Sequence, residues 1–124
     1  MGIEGSLQAS ILSYLNKLPG CKAENVSGNA NQSGRPDING CYLGRMFKFE
    51  LKTIDHQNTP TKKQSLELKK WRRAGCVTGI LYSTKALKEA MDLIGTTHSN
   101  IEIEYSWEEG NGCISWIVIP PMKV

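Results

Sequence analysis

The chain has 124 residues, a hydrophobic fraction of 40%, a charged fraction of 22% and a formal net charge of +3. That is one domain able to bury its own core, and the composition excludes wholesale disorder. The mild basic excess permits a polyanionic partner without demanding one, and no apolar stretch approaches the length of a membrane span.

In chain order, residues 3–18 read as a helix, because Leu7, Ile11, Leu15 and Leu18 recur at helical spacing until Pro19-Gly20 stops them. A short strand is expected at 21–26, then a polar loop from Glu24 to Gly34. A strand from Asp37 to Leu43 turns through Leu43-Gly44-Arg45 into a second strand from Met46 to Ile54. A polar loop, 55–60, leads to a helix from Lys62 to Ala74, with Gly75 as its C-cap. Cys76–Tyr82 is a compact apolar run suited to a buried strand, and a helix from Lys85 to Ile94 is closed by Gly95. The last elements are strands at Ile101–Tyr105 and Ile114–Ile119, joined through Gly110-Asn111-Gly112. The expected fold class is α/β, a mixed sheet flanked by helices, in a single domain over residues 1–124.

Cys21, Cys41, Cys76 and Cys113 are too scattered for C-x-x-C zinc or redox spacing. Two disulfides are arithmetically possible. The N-terminus, with acidic Glu4 and no basic region before an apolar run, does not read as a secretory signal. The expectation is four reduced, largely buried thiols in a cytoplasmic protein.

The chemistry-bearing segment is Met46–Ile54. Strict alternation puts Met46, Lys48, Glu50 and Lys52 on one face of the strand and Phe47, Phe49 and Leu51 on the other. A hairpin connection would carry Asp37, just after Pro36, towards Glu50. Converging carboxylates suit a hard divalent cation such as Mg²⁺ or Mn²⁺, and the Leu51 carbonyl would add an oxygen. Such a cation polarises a phosphodiester and acidifies a bound water. Lys52 would neutralise phosphate charge and position that water. It would act as a base only if its pKa fell well below about 10.4.

Arg35-Pro36-Asp37 followed by Glu50-Leu51-Lys52 resembles the PD-(D/E)xK nuclease signature. Gly34-Arg35-Pro36-Asp37-Ile38, Phe49-Glu50-Leu51-Lys52-Thr53, and Gln64 and Trp71 on a helix ending at Gly75 resemble the VRR-NUC family, over roughly residues 4–83. The resemblance implies a restriction-endonuclease-like core and a Mg²⁺- or Mn²⁺-dependent endodeoxyribonuclease with no organic cofactor. It implies that Asp37 and Glu50 bind the metal, that Glu4 adds a carboxylate, that Lys52 is the catalytic lysine and that Gln64 assists. Standalone domains of the family resemble Holliday-junction resolvases. The implied substrate is therefore four-way or otherwise branched DNA, and two symmetric nicks would call for a homodimer. A lone nuclease domain this compact suits a bacterial or phage-infected cell. The terminal hairpin is a departure from the family core, suited either to an interface or to completing the core.

Each residue also has a plainer reading. Glu50 and Lys52 alone would be a surface ion pair worth under about 1 kcal/mol, and Asp37 a turn residue. Glu4 in a helix's first turn is favoured by the macrodipole whatever the function. Thr61-Lys62-Lys63-Gln64 fits a capping box, yet Gln64 shares a helical face with Leu68 and Trp71 that should dock on the sheet. Arg35, Lys48, Lys62 and Lys63 are the expected DNA contacts, the plain alternative for the helix lysines being a solvated outer face. Trp71 and Trp116 read as core residues. The competing functions are an inert nucleic-acid-binding domain and a sequence-specific restriction-type endonuclease.

Overall fold

A computed structural model describes residues 3–26, 36–54 and 60–122, with side chains from residue 7 onward. The elements are α1 (Ile3–Lys17), β1 (Cys21–Asn25), β2 (Ile38–Tyr42), β3 (Arg45–Leu51), α2 (Lys62–Arg73), β4 (Val77–Leu81), α3 (Thr84–Thr96), β5 (Ile103–Gly110) and β6 (Cys113–Ile119). The strands form one six-stranded sheet in the order β1-β2-β3-β4-β6-β5. Among the described residues only β3 and β4 are parallel; the other pairs are antiparallel. The α/β class with a mixed sheet is as expected.

The boundaries differ in instructive ways. β3 stops at Leu51 rather than Ile54, although the Lys52 amide still donates to the Leu81 carbonyl at 3.0 Å. α3 runs through Gly95 to Thr96 instead of closing on it. Gly95 lies inside the last turn beside the Tyr42 ring, where a Cβ at 3.4 Å would make ordinary van der Waals contact. β5 extends well beyond Tyr105, because its ladder with β6 persists as far as Gly110↔Cys113.

The hairpin of β2 and β3 sets the site. Tyr42 pairs with Arg45, leaving a two-residue loop in which Leu43 and Gly44 have φ of 50° and 86°. Positive φ at both positions is the primed turn whose twist matches a hairpin, and the loop length fixes the register. Gly40 is required on β2: a Cβ there would collide with the Phe47 ring and lie 2.7 Å from the Lys22 carbonyl oxygen.

The two faces of the sheet are covered unequally. On one, α1 and α3 enclose the main core, with Ile11 and Leu15 against Ile38, Phe47, Phe49, Leu51, Val77, Leu81 and Ile117. The Phe47 and Phe49 rings stack at 4.9 Å between centroids. On the other, among the described residues, lies α2 alone, carried there by the β3–α2–β4 crossover that a parallel pair demands. Beneath it is a smaller cluster of Leu68, Ile80, Tyr82 and Cys113. β6 enters the sheet between β4 and β5, so the terminal hairpin completes the core, Ile117 and Ile119 included.

The β1 edge is closed by a side chain. Asn16 accepts from the Ala23 amide at 3.0 Å and donates to the Ala23 carbonyl at 3.2 Å, imitating a further strand. All four cysteines are free, Cys76 and Cys113 buried and Cys21 and Cys41 half-buried. Among the described residues, no helix is long and apolar enough to cross a membrane.

Candidate active site

The site lies under the start of α2, at the C-terminal end of β3. Continuing the register Ile38↔Phe49 by one residue sets Asp37 opposite Glu50. One oxygen of Asp37, Oδ2, accepts from the Leu51 amide at 2.8 Å. The carboxylate of the first half of the motif is thus tied to the backbone of the second. A carboxylate offers about four acceptor positions, so this bond does not exhaust Asp37.

Glu50 is only 2% exposed, an unusual depth for a carboxylate. Its Oε1 accepts from Gln64 Nε2 at 2.8 Å. Gln64 also closes the capping box: its Oε1 accepts from the Thr61 amide at 2.9 Å, and its own amide donates to Thr61 Oγ1 at 3.1 Å. The two readings of Gln64 therefore coexist. The cap holds the carbonyl end of the side chain towards Thr61, which leaves the NH₂ end directed at Glu50.

Lys52 is 9% exposed and lies one residue past β3, where continued alternation puts it on Glu50's face. Lys48, two residues before Glu50, is 6% exposed, its Nζ 4.1 Å from the centre of the Trp71 ring. This cation–π placement ties Lys48 to α2. The neighbouring Cys76 thiol is pushed up from its ordinary pKa by burial, while the Lys48 charge pulls it down. Lys62 and Lys63 are exposed on the first turn of α2. Glu4 falls in the first turn of α1, its side chain outside the described residues, as are Arg35 and the polar loops 27–35 and 55–59.

The sequence reading missed a row beside the site. Asn39 pairs with Lys48, and Lys48 with Thr78, so the three cross the sheet in line. Asn39 Oδ1, Thr78 Oγ1 and Trp71 Nε1 are buried with no hydrogen-bond partner among the described residues. Asn39 was accessible from the hairpin parity that pairs Asp37 with Glu50. Thr78 was not, because a parallel register depends on where a distant strand docks.

Among the described residues, no three His, Cys, Asp or Glu side chains cluster as a metal cage. Asp37 and Glu50 supply two hard oxygen donors, which fits a cation that keeps most of its waters. It does not fit a zinc centre, which takes four protein ligands in its structural form. No protein-family model, curated protein or solved structure matches the chain.

Proposed function

We propose that the protein is a metal-dependent, structure-selective DNA endonuclease with a restriction-endonuclease-like core of the VRR-NUC type. The observation that carries this reading is the union of Asp37 with Glu50-Leu51: two motif halves, 13 positions apart in sequence, meet through the Asp37–Leu51 hydrogen bond. A surface ion pair would not need a carboxylate buried to 2% exposure. Nor would a pure nucleic-acid binder gain from carboxylates that repel phosphate.

Asp37 and Glu50, with the Leu51 carbonyl and Glu4 as further oxygen donors, would hold Mg²⁺ or Mn²⁺. When bound, the cation supplies Lewis-acid polarisation of the phosphodiester and a more acidic water. The chain's own groups do the positioning. The Leu51 amide orients Asp37, and the capped Gln64 orients Glu50. Lys52 offsets negative charge on the phosphate. Lys62, Lys63 and Arg35 contact the backbone without reading sequence. The preferred substrate is four-way or other branched DNA, cut by a two-fold homodimer that supplies paired active sites.

The test is cleavage of a labelled four-way junction, a flapped fork and plain duplex by wild type, Asp37→Asn and Lys52→Ala, each with Mg²⁺, Mn²⁺ or EDTA. Paired symmetric nicks in the junction, lost in both variants and in EDTA, are expected. Discrete cuts in linear duplex would instead mark a restriction-type enzyme. No cleavage of any substrate under either metal would leave an inert nucleic-acid-binding domain.

A further inference from the structure

The inner face of α2, with Gln64, Leu68 and Trp71, is engaged with the sheet and the Asp37–Glu50 site. Its outer face is a row of cations. Lys62, Leu66, Lys69 and Arg73 follow the spacing i, i+4, i+7, i+11, which is one helical stripe, and all four are exposed. Lys63 and Lys70, also exposed, flank it. Glu67, the one carboxylate of the helix, lies off the stripe. From Lys62 to Arg73 the stripe is about 16 Å long, at 1.5 Å per residue. It begins above the Asp37–Glu50 site and ends beside a cavity.

That cavity, of about 560 Å³, is lined by Arg72 and Arg73 from the last turn of α2, by Arg45 from the start of β3, and by Glu102 and Pro120. Its volume is ordinary for a ligand site. The arginines have plainer readings. Arg72 and Arg73 complement the carbonyl end of the helix dipole whatever their use. Arg45 straps the chain, donating to the Thr97 carbonyl at 3.3 Å and to the Pro120 carbonyl at 2.9 Å. Those roles leave charge over. Two neutral carbonyls need donors rather than a cation, and a guanidinium carries five N–H groups. Among the described residues, no carboxylate lies within 4.0 Å of Arg45 or Arg73. Arg72 Nε stands 4.0 Å from Glu102, whose side chain is 55% exposed, a contact too loose and too wet to hold the guanidinium. Three planar forks against one loosely placed carboxylate suit a phosphate, whose oxygens they match in pairs.

We infer that the cavity of Arg45, Arg72 and Arg73 anchors a backbone phosphate of the DNA arm that runs along α2, about 16 Å from the scissile phosphate. This rests on the nuclease reading for the location of the scissile bond. The strand gives the same spacing as the helix, since Arg45 and Glu50 are five residues apart on β3, about 16 Å at strand rise. The stripe supplies the contacts between the two points. Such contacts fix the direction in which an arm leaves the site; they are sequence-independent and weaken with salt. Glu102 opposes the anchor, because the incoming phosphate competes with it for Arg72.

The experiment needs no cleavage. Fluorescence anisotropy of a labelled duplex is followed in EDTA at several salt concentrations. The proteins are wild type, Arg73→Ala, Arg72→Gln, Glu102→Gln and, as a charge-matched control on α1, Lys17→Ala. Arg73→Ala is expected to weaken binding at least about fivefold and to reduce the salt slope by about 0.9, one phosphate on a duplex. Arg72→Gln, off the stripe, is expected to match it. Glu102→Gln is expected to tighten binding about threefold, and Lys17→Ala to stay within twofold. A Lys17→Ala effect equal to that of Arg73→Ala would reduce the result to net charge and overturn the anchor. An effect of Arg73→Ala without one of Arg72→Gln would also overturn it, leaving a basic helix and no cavity site. So would weaker binding by Glu102→Gln. Calorimetry with inorganic phosphate at constant ionic strength tests the other source of the same chemistry. Phosphate uptake lost in Arg73→Ala, with duplex affinity unchanged, would make the cavity a free-phosphate site and overturn the backbone anchor. The nuclease reading fails separately. Binding that depends on Arg72 and Arg73 without metal-dependent cleavage would keep the anchor and remove the enzyme. Cleavage with binding independent of both would do the reverse.

Discussion

The two faces of β3 make a controlled comparison, since one strand supplies both. Phe47, Phe49 and Leu51 point into the core under α1 and α3, with no exposure at all. Lys48, Glu50 and Lys52 point to the α2 face and are almost as deeply buried, between 2% and 9% exposed. Burial is nearly equal; chemistry is opposite. The apolar face gains from leaving water. The charged face loses hydration, which its contacts must offset: Gln64 for Glu50 and the Trp71 ring for Lys48. Depth alone therefore does not identify a core.

Truncating the apolar face breaks this comparison most severely. Phe49→Ala removes a fully buried ring stacked on Phe47. It is expected to lower unfolding stability by about 3–5 kcal/mol, read as the urea midpoint with an unchanged slope. A loss below about 1 kcal/mol would mean that the α1–α3 face does not hold the fold. Glu50→Gln is the matched change on the other face. Gln keeps an acceptor for Gln64 Nε2, so stability is expected to stay within about 1 kcal/mol. Cleavage is expected to fall at least a hundredfold, about 2.7 kcal/mol in barrier. Mg²⁺ should raise the melting temperature of wild type, because a ligand bound only by the folded state stabilises it, and should leave Glu50→Gln unmoved. Equal thermal shifts in both proteins would show that Glu50 is not a metal ligand.

The asymmetry of β3 was legible in the sequence, because alternation is local and Phe47–Lys52 obeys it without exception. The hairpin was legible too, from the Leu43-Gly44-Arg45 turn, although Arg45 is the first residue of β3 and the loop is two residues rather than three. Its register, which sets Asp37 opposite Glu50, follows from a loop of two residues. Other features depend on long-range docking. Thr78 joined the Lys48–Asn39 row only through the parallel pairing of β3 with β4, and the terminal hairpin became core only when β6 paired with β4. The early end of β3 was hidden because Thr53 and Ile54 are β-branched residues suited to a strand, although the ladder with β4 ends at Leu51↔Leu81. Gln64 is the case where two sequence signals competed and both were satisfied.

That double use of Gln64 allows the finest separation of fold from function. Thr61 provides two groups: a hydroxyl that caps the Gln64 amide, and a backbone N–H that holds the Gln64 side-chain oxygen. Thr61→Ala removes only the first. It is expected to cost about 1 kcal/mol of stability, as N-cap losses do. Because the Thr61 N–H still orients the amide towards Glu50, kcat should be unchanged. Gln64→Met keeps the length and removes both the reach to Thr61 and the donor to Glu50. Its stability loss should be similar, accompanied by a fall in activity or metal affinity of about tenfold, the low end for a residue that orients a metal-binding side chain. Stability from urea melts and kcat at saturating metal separate the two variants. Matched stability losses with wild-type kcat and metal affinity in both would reduce Gln64 to a helix cap, and would leave Glu50 to be positioned by its own strand.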